Sequence, residues 1–145
     1  MDINIEFMRE LHKTSHIVLD TITKNLFELG FTFSEFLILL HLEKTEKEAV
    51  QKLGDIALIT SGTITFVINK LIKKGLVKKL QNPDDKRIFW ISITDLGRKK
   101  FEDLFKSHME YLETVLSSLS TQEKSEFIEK IRWLNSRLNI TANEV

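Results

Sequence analysis

Residues 60–94 read TSGTITFVINKLIKKGLVKKLQNPDDKRIFWISIT. The stretch opens on small polar residues, and Thr60 or Ser61 can cap the start of a helix. About four turns later Gly75 follows two lysines, as is typical of a helix end. Two short segments, 77–81 and 88–93, then flank a polar tip at 82–87. The stretch therefore predicts a helix followed directly by a β-hairpin.

The predicted helix separates into two faces. Residues at three- and four-residue spacing form an apolar stripe that must pack inward: Ile64, Val67, Ile68, Leu71 and Ile72. The opposite face is mostly polar and carries Ser61, Thr65, Phe66, Asn69, Lys70 and Lys73. A solvated surface is the ordinary interpretation of such a face. Two features favour a nucleic-acid contact instead: Ser61 and Thr63 around Gly62 let a phosphate approach the backbone, and Phe66 suits a thymine methyl group.

The hairpin has its own alternation. Phe89, Ile91 and Ile93 are predicted to face inward, whereas Trp90 faces outward. A third helix predicted at about 49–57 precedes the polar helix, with a short apolar turn between them. Two helices, a turn and a basic hairpin in this order predict a winged helix-turn-helix.

Charge is unevenly distributed along the 145 residues, although the net charge is zero. Residues 49–100 carry 11 Lys or Arg against 4 Asp or Glu, a net charge of +7, and the remainder carries −7. The middle of the chain is therefore predicted to bind nucleic acid. The absence of cysteine excludes disulfides and thiolate metal sites. No segment resembles a membrane span or a signal peptide, so a cytoplasmic protein without a membrane partner is expected.

Helices are predicted on both sides of this stretch. The first runs from about 5 to 29, and a capping box of Thr32 and Glu35 opens a second. A charged linker follows at 43–48. After the hairpin, Thr94 is predicted to cap a helix at 95–119, and Ser120 with Glu123 to open the last one.

The expected fold class is mostly α with a small β-hairpin wing. Residues 32–94 form the predicted winged helix-turn-helix domain, and residues 1–31 and 95–145 form a helical dimerisation region. An intramolecular bundle is the alternative for these apolar helices. We favour a two-fold homodimer, since two recognition helices would match a palindromic site with about 34 Å per helical turn of DNA.

Four segments resemble the multiple-antibiotic-resistance regulator (MarR) family of dimeric winged-helix transcription factors: 58–65, 70–77, 84–87 and 93–97. The resemblance implies that the helix start contacts bases and phosphates of double-stranded DNA. It also implies that Asp85 holds Arg87 pointing into the minor groove; the alternative is an exposed salt bridge, which usually contributes little. The predicted DNA contacts are Thr60, Ser61, Gly62, Thr63, Thr65, Phe66, Asn69, Lys70, Asp85, Lys86 and Arg87.

The resemblance further implies a small aromatic or phenolic effector bound between the dimerisation helices and the DNA-binding unit. Candidates to line such a cleft are His12, His16, Phe36, Phe105 and His108. The alternative is that the aromatics are core and the histidines have no role. These histidines lack an obvious set of carboxylate partners, so neither a metal nor a cofactor is predicted.

The function expected from the sequence is a homodimeric repressor of a palindromic operator, relieved by a small ligand. A winged-helix protein-interaction module without DNA binding is the alternative, although the density of lysine disfavours it. No phosphate-cradling loop or nucleophile with its base appears, so the chain is not expected to be an enzyme.

Overall fold

The computed structural model describes residues 2–144, and the side chains of residues 2–139. It divides into two compact units, one up to residue 108 and one from residue 109 onward. The helices are α1 (Ile3–Glu28), α2 (Phe33–Thr45), α3 (Val50–Ile56), α4 (Ser61–Lys73), α5 (Asp95–Val115) and α6 (Thr121–Glu144), and the strands are β1 (Lys47–Ala49), β2 (Val77–Gln81) and β3 (Phe89–Ile93).

The strands form one antiparallel sheet in the order β1-β3-β2. The hairpin register places Val77 opposite Ile93 and Gln81 opposite Phe89. Strand β1 pairs along the other edge of β3, with Glu48 opposite Ile91. The sequence prediction of a charged linker at 43–48 is therefore wrong, since residues 43–45 belong to α2 and residues 47–48 to β1. Three residues are too few to show an alternating pattern, and β1 is stabilised by pairing with a strand some 40 residues away.

Helices α2 and α4 supply nearly half of the buried apolar residues of the first unit. The predicted stripe of α4 packs inward, with Ile64, Ile68 and Leu71 buried. Ile91 on the central strand is also fully buried, as predicted. The buried apolar side chains of α2 are Phe36, Ile38, Leu39 and Leu42. This interior supports α4 on its apolar side and leaves its polar side outward.

Side-chain caps fix most helix starts where the sequence predicts them. The Thr32 hydroxyl accepts from Glu35 N, and Thr32 N donates to the Glu35 carboxylate at 2.7 Å. Ser120 and Glu123 repeat this arrangement. Both predicted capping boxes are confirmed, as is the Thr94 cap, whose hydroxyl accepts from Gly97 N at 2.9 Å.

Two glycines hold α4, β2 and α5 close together. Gly75 ends α4 with φ +73°, the left-handed exit predicted from the sequence. Gly97 lies on the first turn of α5 against the carbonyl of Leu76; a Cβ atom there would overlap that oxygen at 2.0 Å. Only glycine therefore allows α5 to start this close to the hairpin. The helix ends at Val115 rather than at the predicted residue 119.

The first and last helices leave much apolar surface uncovered. In α1 Leu26 is the single buried residue. Apolar side chains 45–80% exposed are Ile3, Ile5, Phe7, Met8, Ile17, Val18, Leu19 and Phe27 in α1, and Phe127, Ile128, Ile131, Trp133 and Leu138 in α6. Within the described part of the chain, no single helix is long and apolar enough to cross a membrane. Two pairs of consecutive helices, α1 with α2 and α3 with α4, reach that length and apolarity when joined, but each pair is sharply bent.

Candidate nucleic-acid interface

Helices α3 and α4 form the helix-turn-helix, joined by a tight turn in which Leu58 takes φ +56°. A groove of about 260 Å³ lies between the two helices. Its polar lining comes from Gln51 and Asp55 of α3 and from Ser61 and Thr65 of α4. Sequence reasoning placed Ser61 and Thr65 on the recognition surface but missed the two α3 residues, because helical spacing does not show which side chains two helices bring together.

The first turn of α4 is open. Thr60 occupies the N-cap position, but its hydroxyl lies 3.0 Å from the Thr63 hydroxyl, and no side chain in the described structure caps the helix. The prediction that Thr60 or Ser61 caps this end with a side chain is therefore wrong. The hydroxyl–hydroxyl contact is formed instead, and Thr63 N donates to the Thr60 carbonyl, so the N–H groups of Ser61 and Gly62 are the ones that face an incoming anion. Gly62 faces open space, where nothing lies within 4 Å of a Cβ position.

The rest of the predicted recognition face is mostly exposed. Thr65 and Asn69 are exposed, and Phe66 keeps 70% of its surface in solvent. Lys70 differs, because its ammonium lies 3.6 Å from a carboxylate oxygen of Glu35 and its side chain is only 43% exposed. The predicted helix contacts thus lie on one surface, with Lys70 at its margin.

The tip of the wing presents one arginine. Arg87 donates from its backbone N and from Nε to Asp85 Oδ1, at 3.0 and 3.1 Å, and from Nη2 to Asp85 Oδ2 at 3.1 Å. These hydrogen bonds lower the pKa of Asp85, the arginine side chain contributing most. The Asn82 side chain accepts from Asp84 N, and Gln81 donates to the Lys86 carbonyl. The guanidinium is therefore oriented while 90% of the Arg87 side chain stays exposed.

The five predicted ligand residues fall into two groups. Phe36 and His108 are buried with ring centroids 5.1 Å apart, and Phe105 joins them through Phe101. Burial lowers the pKa of His108, whose Nδ1 lies 2.7 Å from Asn25 Oδ1. The other two, His12 and His16, are exposed on α1, and His16 lies 3.5 Å from Asp20. Among the described residues, no three His, Asp or Glu side chains are arranged to hold a metal.

A helix-turn-helix with an open, hydroxyl-rich recognition helix and an arginine-tipped wing defines a winged-helix DNA-binding regulator. The family model "Transcriptional regulator SarA/Rot" matches residues 10–104. The chain belongs to the SarA/Rot family of MarR-type winged-helix transcriptional regulators.

Individual relatives agree with this assignment. The chain is 32% identical over 104 residues to the HTH-type transcriptional regulator MhqR of Bacillus subtilis, covering 72% of each chain. It is 30% identical over 114 residues to SarZ of Staphylococcus epidermidis, covering 79% of this chain and 69% of that one. A MarR variant from E. coli, solved in complex with operator DNA, matches with a TM-score of 0.80 at 20% identity over 92% of this chain and 99% of that chain. The predicted family and fold class are confirmed, and the relatives are transcriptional regulators rather than enzymes.

Proposed function

We propose that the protein is a homodimeric repressor that reads a palindromic operator with α4 in the major groove and the wing in the adjacent minor groove. Thr60, Ser61, Gly62 and Thr63 at the start of α4 contact phosphates and base edges. Further along the helix Thr65, Phe66, Asn69 and Lys70 extend this contact, and Asp85, Lys86 and Arg87 act from the wing.

The observation that carries this proposal is the orientation of Arg87 by Asp85 on the same unit as an uncapped recognition helix. A narrow minor groove has an enhanced negative potential that attracts arginine, and a guanidinium already held by two carboxylate oxygens loses less entropy on insertion. The open N–H groups of α4 supply the matching phosphate site. The E. coli MarR variant bound to operator DNA, which shares this fold, further supports the arrangement.

The dimer is proposed from the uncovered apolar residues of α1 and α6. Isolated exposed apolar side chains are ordinary, but eight on one helix and five on another, each 45–80% exposed, exceed what a monomer usually presents. We assign residues 1–31 and 95–145 to dimerisation and 32–94 to DNA binding. A two-fold dimer presents two α4 helices, which explains the expectation of a palindrome. Since its target is chromosomal DNA in a bacterial type of regulator, we place the protein in the cytoplasm.

A small aromatic effector is proposed to act at the ring cluster of Phe36, Phe105 and His108. Phe105 is 39% exposed and therefore reachable from solvent, whereas Phe36 and His108 are buried. Displacing the rings would shift α2 against α5 and change the distance between the two recognition helices. His12 and His16 are exposed on α1 and complete the set of proposed ligand residues.

Selection of bound duplexes from a random DNA pool tests the proposal. We expect an inverted repeat whose half-sites lie about one or more helical turns apart, bound more weakly as salt rises. Recovery of no preferred sequence, or binding that salt does not weaken, would contradict it. Thermal-shift screening of phenols and aromatic acids against the same protein then tests the effector.

A further inference from the structure

Glu35 is a buried carboxylate at the start of α2. Its side chain is 1% exposed, and one oxygen, Oε2, accepts from the backbone N of Thr32 at 2.7 Å. The other oxygen, Oε1, faces two lysines of the recognition helix region, Lys74 at 3.0 Å and Lys70 at 3.6 Å. A buried carboxylate needs a cation and hydrogen bonds to offset its lost hydration, and here both are supplied.

Lys74 is the better placed of the two cations. Besides Glu35, its ammonium donates to the carbonyl of Gly30 at 3.1 Å and lies 4.5 Å from the centroid of the Phe31 ring. Its side chain is 30% exposed, less than the 43% of Lys70. Lys73, one residue earlier, is exposed. The three lysines at the end of α4 therefore differ in surroundings although they carry the same charge.

These contacts join three elements at one point. Gly30 and Phe31 form the turn after α1, Glu35 lies in the first turn of α2, and Lys74 is the C-cap of α4. We propose that Lys74 and Glu35 are positioning residues for sequence reading: they fix the end of α4 distant from its open first turn, and neither contacts DNA. This inference deepens the proposed function and depends on α4 being the reading helix.

The length of α4 explains why a distant contact matters. Thirteen residues span about 20 Å, so a tilt of roughly 5° about the C-terminal end moves the first turn by about 1.7 Å. Hydrogen bonds to base edges do not survive such a displacement, since their donor–acceptor distances tolerate only a few tenths of an ångström. Contacts with phosphates through long lysine side chains are less sensitive. Loss of the Lys74 contact should therefore reduce specific binding more than non-specific binding.

Three matched variants separate positioning from phosphate contact. K70M, K73M and K74M each remove one positive charge from the end of α4. Affinity is measured at several salt concentrations for the duplex that the wild-type protein selects and for a scrambled duplex of the same composition. We expect K74M to lower the ratio of the two affinities about tenfold or more, with the salt slope unchanged. K73M should leave the ratio unchanged, and K70M should make the slope shallower by about one.

Two further variants protect the test against a folding failure. E35Q keeps an amide oxygen for Thr32 N but removes the charge facing Lys74, and it should reproduce the K74M effect. K74R keeps the charge and several donors, and it should retain most of the discrimination. The inference is overturned if both K74M and E35Q preserve the affinity ratio, or if K74M weakens both duplexes equally with a shallower salt slope. If the wild-type protein itself does not distinguish the duplexes, the proposed function fails instead.

Discussion

Helices α4 and α1 use apolar residues in opposite ways. Helix α4 has 13 residues and buries four of them, Ile64, Val67, Ile68 and Leu71, against its own chain. Helix α1 has 26 residues and buries Leu26 alone. The shorter helix is therefore stabilised within one chain, whereas the longer one leaves most of its apolar surface uncovered.

The difference indicates how stability and recognition are divided. The winged-helix region holds most of the buried apolar side chains and carries a net positive charge, which on the proposed function attracts DNA. The terminal helices carry the negative charge and the exposed apolar side chains, and burial in a dimer would remove that surface from water. On the proposed function, the winged-helix region binds one half-site, and the terminal helices set the distance between the two recognition helices of the dimer.

The largest expected effect comes from placing a charge on the uncovered face of α1. Ile17 is 55% exposed in the single chain, so I17E should leave the monomer folded but separate the dimer. Affinity for a palindromic duplex should then fall by at least about a hundredfold, since the two half-sites no longer bind together. Analytical ultracentrifugation and gel shift measure the two losses. I17M keeps an apolar side chain at the same position and should remain dimeric; a dimeric I17E variant would remove Ile17 from the interface.

The next effect concerns the closed core. Leu71 is fully buried, so L71A should lower the free energy of unfolding by about 2–5 kcal/mol. Phe66 lies on the exposed face of the same helix, and F66A should change that free energy by no more than about 0.5 kcal/mol. Urea unfolding of the two variants compares the faces directly. Similar losses in both would show that α4 does not separate into a packed face and a reading face.

Local rules predicted much of the winged-helix region from the sequence. Spacing identified the buried stripe of α4, and the capping boxes at Thr32 and Ser120 fixed two helix starts, because these features depend on residues three or four apart. The burial of Ile91 and Ile93 in β3 and the exit at Gly75 follow from equally local chemistry, whereas Phe89, predicted to face inward, is only half-buried. The DNA-contact assignments remain predictions.

Contacts between distant segments could not be predicted in the same way. Glu35 was recognised as a helix cap, but its ion pair with Lys74 joins residues 39 positions apart. His108 and Asn25 are separated by 83 positions, and nothing near either residue indicates the other. Strand β1 exists only because β3 is folded beside it. Thr60 is a case in which a local rule failed. A threonine before a helix predicts a side-chain cap, but the Thr60 hydroxyl contacts the Thr63 hydroxyl instead.

A smaller effect tests whether the wing contributes to DNA binding as proposed. R87A should weaken binding to the selected duplex by about tenfold to a hundredfold and make the salt slope shallower by about one, because one minor-groove cation is lost. D85N leaves the cation but removes the charge that orients it, so a weaker loss with an unchanged slope is expected. Fluorescence anisotropy at several salt concentrations measures both. Full affinity in R87A would contradict the wing assignment.

The smallest effect concerns the end of α1 that does contact its own chain. There Asn25 meets the buried His108, and burial lowers the pKa of this histidine below its ordinary 6.5. Below about pH 6.5 the unfolded chain takes up a proton that the folded chain resists, so the free energy of unfolding should decrease as pH falls from about 7.5 to 5.5. Glu48 and Asp85 have lowered pKa values too, but their contributions are lost only below about pH 4.5. Urea unfolding measures the free energy of unfolding at the two pH values. The difference between them should be smaller in H108Q than in the wild-type protein, whereas H16Q, at an exposed position, should show the same difference as the wild-type protein. An equal pH response in all three proteins would show that protonation of His108 does not destabilise the attachment of α1.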